Sequence, residues 1–235
     1  NSKLDMGAFT HKIASTQVDK TASSVWITEN SNFIFNRGGN QSLPEMQCKD
    51  IQISTSGTKT LKGDLRAKNV TIDSGTTFSV GSNAGEAKTV YVSGSWNNRG
   101  TFTSQTDTVY FESPGPGADN GKTILSNESW FNVVVFNKTD KSESTYSLQD
   151  RMLLKDGMII GENATVKLNG NDMIVGNDDP NPTVYPFRPP GEYINVLPGG
   201  HLYVDAGSSL LFDHNDGNTK LNVEGKLSMI GTSTS

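Results

Sequence analysis

Only one cysteine, Cys48, stands in the 235 residues of the chain. A lone thiol excludes an intrachain disulfide and puts a multi-cysteine zinc site out of reach. Basic clusters are missing too: no run of Lys or Arg exceeds two residues, and the formal net charge is −5. Phosphate binding needs a positive footprint, so no nucleic-acid partner is expected. No apolar run approaches the ~18 residues of a spanning helix, so no transmembrane segment is expected. No signal-peptide apolar region opens the chain, and Asn1 begins in mid-pattern, like the start of a segment cut from a longer protein. Apolar content is low as well, with 33% hydrophobic and 8% aromatic residues. That suffices for a narrow core only, and abundant Gly, Asn, Ser and Thr fit an elongated fold with many turns, such as a solenoid around a thin aliphatic strip. The clustering of Val, Ile, Leu and Phe argues against disorder.

What is there is a succession of short β-forming runs. Val25 to Thr28, Phe33 to Phe35 and Ile51 to Ile53 are followed by Leu61 to Leu65, Val70 to Ile72 and Thr77 to Val80. Each run is three to five residues long, and turn formers separate one from the next. Gly94 to Asn137 is the best-defined unit, in which Trp96 leads into the turn Asn97 to Gly100 and then into strands at 101–103, 108–111 and 131–136. Related blocks lie on either side. Leu61 to Phe78 can be laid on Leu148 to Val166, and Phe33 to Ile53 on Val109 to Val135, so copies recur after roughly 70 to 90 residues, three or four coils of a solenoid. A third series at 193–196, 201–204, 209–212, 220–223 and 226–229 carries glycines just before strands, at Gly199, Gly200, Gly207 and Gly225, where a coil turns its corner.

These patterns predict an all-β chain, a β-solenoid of short strands and roughly ten coils. Residues 1–24 form an N-terminal arm or cap. The solenoid covers 25–235, in blocks of about 25–95, 96–176 and 193–231. Five prolines between Asn177 and Glu192 prevent regular strand pairing and predict a projecting loop.

The order Gly94, Trp96, Asn98, Gly100, Phe102, then Thr108 to Phe111, Lys122 to Ile124 and Trp130 to Val135, resembles the degenerate repeat of large secreted bacterial surface proteins. Gly207 to Phe212 and Gly225 to Met229 fit its later elements. The resemblance covers most of Val25 to Ile230. It implies a right-handed parallel β-helix on an adhesin-like or structural exoprotein, secreted or held at the cell surface.

Candidate sites are few. Asp213, Asn215 and Asp216 offer closely spaced oxygens of the kind Ca2+ needs. The spacing is one residue short of an EF-hand loop and no bidentate Glu follows, so a solvated turn is the first reading and Ca2+ the second; no other cofactor is expected. Asp64, Asp73, Asp150 and Asp156 fall at or near turns, without the Lys/Arg cluster that a lyase of anionic polysaccharides needs. His11, His201 and His214 share no metal-ligand spacing. Tyr185, Phe187, Arg188 and Tyr193, in and beside the proline-rich loop, are the candidate partner contacts, with packing over the coil as the alternative for the aromatics. Trp26, Trp96 and Trp130 read as coil fillers before they read as ligand platforms. Asn40, Asn69, Asn127, Asn137 and Asn163 begin Asn-x-Ser/Thr triplets, which chance also supplies in such a composition.

The expected function is therefore a non-enzymatic structural or adhesive module, a stiff rod presenting loops to a glycan, to a protein surface or to neighbouring domains of the same chain. A polysaccharide-active β-helix (lyase, hydrolase or phage tail-spike) and a carbohydrate-binding β-sandwich are the alternatives.

Overall fold

The computed structural model describes residues 3–18, 25–80, 87–104, 106–113, 119–138, 143–176, 193–212 and 220–231. Among them every regular element is a strand, and every pairing between strands is parallel. The antiparallel pairing of a β-sandwich is absent from the described residues. A large parallel sheet curls round on itself, and the core runs along its inside.

The pairing falls into three series. The first runs from Met46 through Leu65, Val90, Val109, Val134, Met158 and Ile194 to Leu221, each residue opposite the next. The second runs from His11 through Phe33, Ile51, Val70, Trp96 and Ile124 to Leu148 and continues as Tyr146, Val166, Leu202 and Leu227. The third joins Leu43, Leu61 and Val80, and later Phe131, Leu154, Val175 and Phe212. Partners in the first series are 19 residues apart at the closest, Met46 to Leu65, and 36 at the widest, Met158 to Ile194. The widest interval holds the proline-rich stretch, and pairing resumes in register beyond it.

Period-two alternation decides which residues turn in. Thr76–Val80, Ser144–Leu148 and Tyr193–Val196 each bury every second side chain. The strands Met46–Ile53 and Leu65–Ile72 cover the first and second series in one run, because Lys49 with Asp50 and Lys68 with Asn69 face outward in succession and bend the chain between them. Inside, Trp96 is fully buried, with ring centroids 4.9 Å from Phe102, 5.5 Å from Phe131 and 6.4 Å from Phe111. Trp96 is thus a core filler, as its place at the head of a block suggests. The side chain of Trp26 lies outside what the structure describes.

Two features go beyond the sequence pattern. Thr10–Ile13 lies in register on Asn32–Phe35, so part of the N-terminal 24 residues adds a strand to the sheet. Blocks that align in sequence also occupy different series: Asn32–Phe35 belongs to the second, whereas Thr108–Ser113 belongs to the first. The likeness reflects shared strand chemistry, and corners of unequal length put the copies out of phase. Gly199 has the positive φ of 78° that a corner glycine supplies, whereas Gly225 serves closeness instead, since a Cβ there would sit 2.3 Å from the Leu197 carbonyl oxygen.

Lys59 is the unexpected core residue. It is fully buried, and its ammonium donates to the carbonyls of Arg37 at 2.8 Å, Gly39 at 2.8 Å and Ser56 at 2.6 Å. Burial, and secondarily the Arg37 charge, push its pKa below the usual lysine value. The three carbonyls favour the protonated form and tie two successive turns together. Replacing it, Lys59→Met, removes the donor that all three carbonyls share and is expected to cost about 3 kcal/mol of stability. A urea midpoint equal to that of the parent protein would contradict this role.

Candidate functional site

Three of the carboxylates named from the sequence accept hydrogen bonds from a neighbouring layer, two of them from backbone N–H groups. Asp64 accepts from the Thr89 N–H at 2.9 Å, and Asp73 from the Gln52 side-chain amide at 2.7 Å. Asp150 accepts from Ser126 N–H at 2.7 Å, from the Ser126 hydroxyl at 3.0 Å and from Asn127 N–H. Each bond links residues 21 to 25 apart in sequence, one strand layer to the next. Among the described residues no three His, Cys, Asp or Glu side chains converge as metal ligands. Asp213, Asn215 and Asp216 lie outside the described residues, as do His214, Tyr185, Phe187 and Arg188.

Tyr193 is described, and it opens the strand Tyr193–Val196 opposite Gly157. A Cβ on Gly157 would sit 3.1 Å from the tyrosine ring and 2.3 Å from its carbonyl, so glycine is what lets Tyr193 lie down on the preceding strand. Burial, then Asp156, then Tyr110 raise its pKa above the ordinary tyrosine value. The residue is half-buried. His201 bonds Ser228 at 3.0 Å, and its pKa is lowered by burial first and by Lys226 and Lys167 next, with Glu143 opposing. The His11 ring lies tilted against Phe33, with centroids 5.2 Å apart. Three of the Asn-x-Ser/Thr asparagines are used by the fold: Asn40 accepts from Thr58 N–H, Asn69 donates to Asp50 and Asn127 donates to the Gly100 carbonyl.

Two outer features were not anticipated. On the first series, Arg66, Tyr91 and Tyr110 stand side by side, the guanidinium 3.5 Å from the Tyr91 ring centroid and the two rings nearly parallel at 5.1 Å. Beside them is an open groove of about 630 Å³ whose rim carries Glu29, Lys49, Lys68 and Glu112. Cys48 lies beneath it, with its thiol buried and pushed up to about 12 by burial and then by Asp50.

The other feature is a break in the third series. Thr101–Thr103 pairs with Thr76–Val80 on one side, and the ladder resumes only where Trp130 meets Leu153. Between these layers serine hydroxyls stand in for carbonyl partners. Phe102 N–H donates to Ser129 Oγ and Asn132 N–H to Ser104 Oγ, both at 3.0 Å, while buried Asn98 donates to Ser126 O at 2.7 Å and to Ser129 Oγ at 3.0 Å. Lys155 reaches across from the next layer to the Ser104 carbonyl at 2.9 Å. The opening is a pocket of about 370 Å³ with Phe102 and Trp130 in its wall and Asn127 and Glu128 on its rim, within the range of small-ligand pockets (about 300–1,000 Å³). Trp130 is half-buried and, unlike Trp96, meets no other ring among the described residues.

The Ser-Asn-Glu-Ser run at 126–129 reads in sequence only as a turn. Its pairing with Ser104 depends on how many residues fill the preceding corner, which no local pattern reveals. Neither family models, nor curated proteins, nor solved structures match the chain.

The Cys48 thiol is expected to resist disulfide-exchange labelling of the folded protein at about pH 8, reacting only at the rate of unfolding. Prompt labelling would show instead that the thiol opens into the groove.

Proposed function

We propose that the three series are the three sides of a right-handed parallel β-helix of roughly ten coils. On this reading the chain is a non-enzymatic structural and adhesive module of a large secreted bacterial surface protein. The observation that carries it is the continuity of the first series, from Met46 to Leu221 in unbroken parallel register. A sheet that repeats one coil after another resists bending along its axis and holds its outer faces at fixed spacing. Those faces, among them the Arg66, Tyr91 and Tyr110 strip with its charged groove, are the surfaces offered to glycan or protein partners.

The rival is a polysaccharide-active β-helix, which needs two carboxylates converging across a substrate. The use of Asp64, Asp73 and Asp150 as caps between layers supports the structural reading.

About ten coils at ~4.8 Å each give a rod of roughly 50 Å. Small-angle scattering is expected to return an elongated particle of that length, and incubation with a panel of plant, fungal and bacterial polysaccharides is expected to release no new reducing ends. A compact, isotropic particle would defeat the rod, and turnover of any glycan would defeat the non-enzymatic reading.

A further inference from the structure

We propose that the break in the third series is a sugar-binding subsite, in which Trp130 carries the ring of a neutral hexopyranose and Glu128 accepts from its hydroxyls. The proposal deepens the reading of the chain as a glycan-facing rod, and it rests on three independent features of the same pocket.

The first is backbone strain at the rim. Asn127 has φ 51° and Glu128 φ 54°, two successive left-handed residues, neither of them glycine. Asparagine tolerates this region; glutamate does so rarely, and glycine is the usual second residue of such a turn. The paired turn at Asn169 and Gly170 has the usual form, with φ 56° and 80°. The 126–128 turn is held in place from the next layer by Asp150 on Ser126 and Asn127 and by Arg151, whose Nη2 lies 2.9 Å from Glu128 Oε1. A side chain kept where its absence would relieve strain points to a use for that side chain.

The second is the missing backbone pairing. A continuous ladder would close the space between Thr101–Thr103 and Trp130. Instead Ser104, Ser129 and Asn98 satisfy the separated groups and leave a recess.

The third is chemical fit. Pyranose rings offer a C–H face to an aromatic plane and hydroxyls at the edge. The pocket presents one outward indole beside the Glu128 carboxylate, whose Oε1 is held by Arg151 while Oε2 faces no partner among the described residues, with the threonines 101 and 103 alongside. An aromatic wall at Trp130 and Phe102 set among acceptors and hydroxyls suits a sugar better than an apolar peptide side chain, which would leave those polar groups desolvated without partners.

The test is a glycan array followed by calorimetric titration with cellohexaose, mannohexaose, xylohexaose and chitohexaose, alongside an unbiased peptide library. The parent protein, Trp130→Ala, Glu128→Gly and, on the outer face of the second series, Tyr203→Ala are compared. Saturable binding of at least one neutral glycan is expected, weakened tenfold or more by Trp130→Ala and unchanged by Tyr203→Ala. The Glu128→Gly variant distinguishes a site from a structural turn: its thermal midpoint is expected to rise as the left-handed backbone relaxes, while its glycan affinity falls. Absence of Trp130-dependent glycan binding overturns the proposal, as do equal affinities in parent and Glu128→Gly, or Trp130-dependent capture of peptides alone. None of these outcomes alters the rod dimensions, which scattering tests separately.

Discussion

Main-chain pairing across a gap of about twenty residues or more is the constraint from which the rest of this structure follows. A parallel strand cannot reach its partner through a tight hairpin, so the chain must travel round before each strand meets the next. Every inward side chain is then stacked on one from the layer before, and the core becomes a set of columns. Position within a column governs what fits. Trp96 sits where Val70 and Ile124 flank it, and the extra volume is met by Phe102, Phe111 and Phe131 closing round its ring.

Corners carry the cost of that arrangement, since their N–H and C=O groups leave the ladder. Side chains take over there. Asp64, Asp73, Asp150, Asp172 and Asp205 all accept hydrogen bonds from residues one layer away, Asp172 from Ser209 N–H and Asp205 from Asn169 N–H. Lys59 performs the complementary task, giving an ammonium to three carbonyls at once.

Alternation made the strands legible. Phe33 and Phe35, Val90 and Val92, and Ile194 and Val196 are spaced two apart and all turn inward. The β class and the inward positions follow from the residues alone. Series membership does not, because it depends on corner length: Lys68 and Asn69 suffice between Ala67 and Val70, whereas Ser93, Gly94 and Ser95 separate Val92 from Trp96. For the same reason the blocks that align in sequence occupy different series. Outer neighbours were hidden likewise. Arg66, Tyr91 and Tyr110 are each visibly outward, but only the 25- and 19-residue steps between them bring them together. The Trp130 pocket was the hardest to see, since it arises from a pairing that fails to form.

One distance rule governs the stacked strands. Gln47, Arg66, Tyr91, Tyr110, Val135, Ile159, Asn195 and Asn222 form a single outward column, each paired with the next. Spin labels at cysteines substituted for Gln47 and Val135, four steps apart, and for Gln47 and Asn222, seven steps apart, in a Cys48→Ala background, read the column directly by pulsed electron resonance. Backbone separations of roughly 19 Å and roughly 34 Å, in the ratio of the steps, are predicted from a strand spacing of ~4.8 Å. Separations that do not lengthen with the number of steps would contradict the stacked parallel register itself.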